Sequence, residues 1–218
     1  MSFFKLKRFF PFSIKKILPK KGNGSSKYSS TYYYSSVLEK YESVTSYLNI
    51  FDKCLSRPNV KTNQHINFSD KINFGATIKQ VKKIKPNPTK SVNVNNNCHI
   101  LFYKTKIGNI RTNLELHFFS NKLFFYSYSF SNTIDTDKIL DLLKEKYLSV
   151  KSDANLNFHN ITDEFNNYVL VNNEMDLTIK YVALRDETYN YLNQVNIIEK
   201  AKTKHIKKLE NKELLSKL

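Results

Sequence analysis

Tryptophan is absent from this 218-residue chain, glycine occurs four times, proline five times and cysteine twice. Four glycines leave no room for the loops that cradle phosphates: Gly22 and Gly24 have no Lys-Ser/Thr after them and no strand before them. Two cysteines cannot staple a small fold, so Cys54 and Cys98 are expected as reduced thiols in a reducing compartment. The chain contains no C-x-x-C, H-x-x-x-H or H-E-x-x-H, and no G-x-S-x-G elbow for a nucleophilic serine. His65, His99, His117, His159 and His205 are scattered. Cys98 and His99 are adjacent, which in a strand aims them at opposite faces. The carboxylate pairs Asp135/Asp137 and Asp163/Glu164 read as a helix start and solvated loop charge. No catalytic, cofactor or metal site is therefore expected, and the chain is read as a protein other than an enzyme.

What is present is a large and unevenly placed positive charge. The formal net charge is +16, with 40% hydrophobic and 14% aromatic residues. Residues 1–27 hold eight Lys or Arg and no acid, while the stretch from Glu199 holds seven Lys and three Glu. The middle is close to neutral, so the ends are expected to make contact with anionic surfaces. The first segment has no apolar run longer than Phe9 to Phe12 and no small-residue cleavage pattern, which disfavours a signal peptide or membrane span. A single arginine, Arg8, is also little for an organelle presequence.

The segment reads instead as a basic aromatic arm. Phe3, Phe4, Phe9 and Phe10 alternate with Lys5, Lys7, Arg8, Lys15, Lys16, Lys20 and Lys21. Such an arm suits a membrane interface, with rings below the headgroups and ammonium groups among anionic lipids. The competing readings are packing on the body, a disordered start, or nucleic-acid contact. GNGSSKYSS, residues 22–30, reads as a flexible linker.

Hydrophobic spacing then organises the body. Val37, Tyr41, Val44, Leu48, Phe51 and Leu55 share one face of an expected helix, with a Ser36/Glu39 capping box at its start and Pro58 at its end. Residues 59–71 read as polar and irregular. A short helix follows, with Thr77 as cap and Ile78, Val81 and Ile84 on its face.

Three long strands, CHILFYKT, RTNLELHFF and KLFFYSYSF, are joined by KIGN and a tight SN turn between Cys98 and Phe130. Leu114, Leu116 and Phe118 are expected on one face, as are Phe124, Tyr126, Tyr128 and Phe130. The alternate positions, Glu115 and His117 with Ser127 and Ser129, mark a wetter face. No basic-aromatic signature of an RNA-recognition sheet is present, so the aromatic row is read as core.

A helix opens at Asp135-Thr136 and runs through Leu148, with Ile139, Leu142, Leu143 and Tyr147 on one face. After a polar loop, 149–164, NNYVLV and MDLTIKYV form a hairpin in which Met175, Leu177, Ile179 and Tyr181 alternate inward. A last helix runs from Asp186 to Leu218. Its stripe of Tyr191, Val195, Ile198, Ile206 and Leu209 gives way to charge all round.

Phe74, Gly75, Thr77 and Val81 match an F/L-G-x-T/S-x-x-x-V pattern followed by a meander. Over residues 70–130 this resembles the BamE/SmpA family of outer-membrane assembly lipoproteins and similar small domains. The resemblance implies a helix preceding an antiparallel meander. The family's lipidated cysteine is absent, KIKPNP replaces its usual Gly-x-Pro, and its function is not implied here.

The fold expected is α+β, an antiparallel sheet of about five strands, the meander 98–130 plus the hairpin 167–182, with helices on one face. Its parts are the arm and linker 1–30, a globular domain 31–198 and a charged helical extension 199–218. The function expected is a non-catalytic, cytoplasmic protein-interaction module, peripheral on the inner face of a membrane, with an unidentified protein partner. Two alternatives stand beside it. One is a nucleic-acid-binding accessory protein using the arm and Lys202, Lys204, Lys207 and Lys208; the other is an immunity or inhibitor-like protein, by analogy of fold.

Overall fold

The computed structural model describes residues 30–94, 97–131, 134–148, 153–174 and 176–217. The basic arm and residues 22–29 of the linker lie outside these residues, as does Met175. Five helices and eight strands follow in the order α1 (Ser30–Glu42), α2 (Thr45–Ser56), β1 (Asn59–Lys61), α3 (Ile78–Ile84), β2 (Lys90–Asn93), β3 (Cys98–Ile107), β4 (Ile110–Phe119), β5 (Lys122–Phe130), α4 (Thr136–Tyr147), β6 (Asn160–Thr162), β7 (Asn167–Asn172), β8 (Thr178–Ala183) and α5 (Asp186–Lys217). The strands make one open sheet in the order β1-β6-β7-β8-β5-β4-β3-β2. All pairings are antiparallel except β1 with β6.

The class α+β and the five long strands agree with the sequence. The count of five does not. Two of the added strands, β1 and β2, form the sheet edges, and β6 joins β1 to β7. All three are only three or four residues long, too short to carry an alternation. Helices also cover both faces rather than one. Residues of α3 and α4, such as Val81, Ile139 and Leu143, pack with Leu101, Leu116, Val169 and Ile179. On the other face Val37, Tyr41, Leu48, Phe51 and Leu192 of α1, α2 and α5 pack with Ile100, Phe102, Phe125 and Val182.

Local chemistry accounts for the element ends. Thr77 and Gln80 form a reciprocal capping box on α3. Asp135 accepts from the Lys138 amide at the start of α4. Ser120 and Asn121 both have positive φ, the conformation that a two-residue hairpin turn between β4 and β5 requires. The helix expected from residue 36 to 58 is broken at Ser43-Val44. There the Ser43 hydroxyl accepts from the Thr45 amide and the Ser46 hydroxyl donates to the Lys40 carbonyl, so side chains compete with the helical ladder. Ser36 sits inside α1 and donates to the Tyr33 carbonyl instead of capping. Leu55 is exposed and Cys54 takes the buried position.

A β-bulge corrects the aromatic row of β5. Register runs Phe118 to Leu123 and then His117 to Phe125, so Phe124 is the extra residue and turns to the α1/α2 face beside Phe125. Tyr126, Tyr128 and Phe130 keep the α3/α4 face, where the Tyr126 ring stacks on Tyr181 at 4.4 Å.

The β6–β7 turn is tied down by Asp163. Its carboxylate accepts from the amides of Ile66, Phe165 and Asn167 and from the Asn167 side chain, each at 2.9 Å, which fastens the loop after β1 to the sheet.

Candidate functional site

A dense polar constellation lies where the sequence promised a wet surface. Glu115, His117 and Ser127 alternate out of β4 and β5 onto the α1/α2 face, but the helix pair closes over them and leaves them 4%, 0% and 2% exposed. A buried polar group is costly unless each donor and acceptor is matched. Here they are matched. Tyr33 of α1 donates to Glu115 Oε1 at 2.5 Å, and Ser127 donates to Oε2 at 3.1 Å. His117 Nε2 lies 3.2 Å from the same Oε2, and Tyr47 of α2 lies 2.9 Å from His117 Nδ1.

These contacts fix the protonation states. Burial holds the Tyr47 phenol well above its ordinary range, so it is a donor to Nδ1 and the imidazole proton sits on Nε2, pointing at Glu115. Burial pushes the His117 pKa down against the pull of Glu115, so the ring is neutral. Burial pushes the Glu115 carboxyl up, yet the hydrogen bonds from His117 and Tyr33 and the Lys40 charge hold it below its usual value. The seam is thus a carboxylate with three donors around it. Tyr41 completes the packing, its ring 4.7 Å from Tyr47 and 4.6 Å from His117.

The arrangement cannot act as a Ser-His-acid relay. Ser127 donates to the carboxylate, not to His117, and both ring nitrogens are engaged, so no base is presented to a hydroxyl nucleophile. What it does is lock α1 to β4 and β5 across 82 residues of sequence. Among the described residues no group of three or more His, Cys, Asp or Glu could hold a metal ion. No disulfide joins Cys54 and Cys98, and burial raises the Cys54 thiol to about 12.

The expected contact residues fall elsewhere. Phe3 through Lys21 lie outside the described residues. Lys202, Lys204, Lys207 and Lys208 are exposed on α5, where every described side chain from Lys200 onward is exposed. Lys202, Lys204 and Lys207 line an open cleft of ≈ 790 Å³ together with Glu199 of the same helix and with Glu39 and Glu42 of α1. The part of α5 that docks is offset from the expected stripe. Thr188, Leu192 and Asn196 are buried, whereas Tyr191 and Ile198 are 37% and 53% exposed.

Lys180 was missed by sequence reading. It sits on the inner side of β8 and keeps 9% of its surface. The available signal was a lysine inside the strand TIKYVA, whose other face was already assigned to Ile179 and Tyr181.

Comparison with protein-family models, with curated proteins and with solved structures finds no match for the chain.

Proposed function

We propose that the chain is a non-catalytic binding module held at the anionic inner face of a membrane by its basic aromatic arm, with the folded body presented to a protein partner. The observation that carries this reading is the division of labour in charge. The Glu115-His117 constellation of the body is closed on itself, while residues 1–27 bring eight cations and no acid. Each Lys or Arg at such a surface contributes roughly 1 kcal/mol, so four engaged together would give measurable binding. No helix among the described residues is long and apolar enough to cross a membrane, which leaves peripheral contact as the mode proposed.

Vesicle sedimentation tests it. The full chain should co-sediment with phosphatidylserine-containing vesicles, weaken as salt rises, and lose binding when residues 2–21 are removed. Equal retention on neutral vesicles, or retention unchanged by the deletion, overturns the reading.

A further inference from the structure

The sheet edge at β2 carries a second polar constellation, and this one is open. Alternation sends Ile100 and Phe102 of β3 to the α1/α2 face and Leu101 to the α3/α4 face, so His99 stands on the α3/α4 side. The register sets Asn93 of β2 opposite His99 and Ser91 opposite Leu101, which puts all three polar side chains on one side of the outermost strand pair. Ser91 and Asn93 are exposed, and His99 is half-buried.

The two ring nitrogens of His99 have neighbours with different roles. The Asn93 side-chain oxygen Oδ1 meets Nδ1, and the Ser91 hydroxyl lies 2.8 Å from Nε2. An amide oxygen can only accept, so the ring proton sits on Nδ1. Nε2 then keeps its lone pair and accepts from the Ser91 hydroxyl. Burial, and then the Lys82 charge on α3, pushes the His99 pKa below its ordinary 6.5, so the ring is neutral at pH 7 and the lone pair is available. The buried seam has the opposite arrangement. There Ser127 donates to a carboxylate and Tyr47 occupies the histidine lone pair, whereas here a base faces a hydroxyl that solvent reaches, and a third group holds the base in the required tautomer.

We propose that Ser91 is a nucleophilic, acyl-accepting hydroxyl, with His99 as its general base and Asn93 positioning the ring, and that the acyl donor is a thioester. Ser91 Oγ attacks the carbonyl carbon while His99 Nε2 takes the hydroxyl proton. The Oγ–C bond forms, the C–S bond breaks, and the proton on Nε2 passes to the departing thiolate. The products are O-acyl-Ser91 and a free thiol, with no change in oxidation state. A thiolate is a weak enough base to depart with the single proton that His99 returns. The trio belongs to the body and does not draw on the arm.

The test treats the folded full chain with the acetyl thioester of N-acetylcysteamine and, separately, with a fluorophosphonate, which bonds to activated hydroxyls with loss of fluoride. Peptide mass mapping reads the labelled positions, and the urea-unfolded chain is the reference for an ordinary serine. Ser91 should be labelled by both reagents, ahead of every other serine and faster than in urea. His99→Gln should slow labelling about a hundredfold or more, the usual contribution of a positioned base. Asn93→Ala should slow it up to about tenfold, the worth of one hydrogen bond, and Asn93→Asp, which still accepts from Nδ1, should restore it. If His99→Gln lowers the melting temperature, the two variants at the exposed Asn93 decide the outcome. Ser91 left unacetylated, labelling no faster than in the unfolded chain, or rates unchanged across the variants overturns the proposal. Thiol release that continues past one equivalent and is lost in Ser91→Ala supports the nucleophile and overturns instead the non-catalytic reading of the chain. Vesicle binding through the arm is independent of either result.

Discussion

Replacing Lys180 by methionine should make the protein more stable, by an amount that depends on pH. Burial, and then the charges of Lys40, Lys53 and Arg57, pushes the Lys180 amine from 10.5 to about 8 against the pull of Glu115. At 1.36 kcal/mol for each tenfold change in proton affinity, that drop corresponds to about 3 kcal/mol of unfavourable charge burial at pH 7. Methionine has a similar length and volume and carries no charge, so most of that cost should be recovered. For a chain of this size about 3 kcal/mol corresponds to roughly 6–12 °C in melting temperature.

The sign of the pH dependence follows from proton counting. Between pH 8 and 10.5 the unfolded chain holds a proton on this lysine that the folded chain has released. Wild-type stability therefore rises with pH in that window through this group. The gap between the Lys180→Met variant and wild type should be full at pH 7 and close as pH rises through 8 towards 10. Urea melts of both proteins at pH 7, 8, 9 and 10 measure it, and taking the difference cancels the buried tyrosines common to both. A variant that is no more stable than wild type at pH 7, or a gap that stays constant to pH 10, would refute the electrostatic account of Lys180.

Glu115→Ala should cost roughly 3–5 kcal/mol in urea unfolding, because it strands the buried donors of Tyr33, Ser127 and His117. The contribution of Glu115 is present above the ordinary carboxylate value of 4.5 and is lost as pH falls through its lower folded value. His117 adds an acid-side slope of its own. Below pH 6.5 the unfolded chain takes up a proton that the buried neutral ring refuses, so stability falls with pH there and His117→Gln should flatten that part of the profile. Asp163→Ala should cost at least about 3 kcal/mol, since three backbone amides and the Asn167 side chain lose their acceptor, and proteolysis should then concentrate in residues 62–68. Removing residues 200–218 should move the melting temperature by less than about 2 °C, because every described side chain of that stretch is exposed.

Much of the architecture was legible because its signals are local. The long strands announce themselves by β-branched and aromatic runs, and the starts of α3 and α4 by the caps Thr77 and Asp135. The seam was only half legible. Alternation correctly assigned Glu115, His117 and Ser127 to one face, but a polar residue facing away from an apolar row looks the same whether water or a tyrosine hydroxyl meets it. The partners that decide the matter, Tyr33 and Tyr47, lie 82 and 70 residues away from the groups they bond.

The amino-acid order by itself determined the periodic elements, the turn at Ser120-Asn121 and the acid-free, cationic first segment. These depend on neighbours within a few residues, where rotamers, backbone angles and capping bonds are set. Tertiary structure alone decided that β1 would pair in parallel with β6 a hundred residues away, that Phe124 would bulge to the opposite face, and that helices would cover both sides of the sheet. Each of those outcomes is chosen by which distant surface supplies the missing hydrogen bond or apolar contact, and no local spacing encodes that.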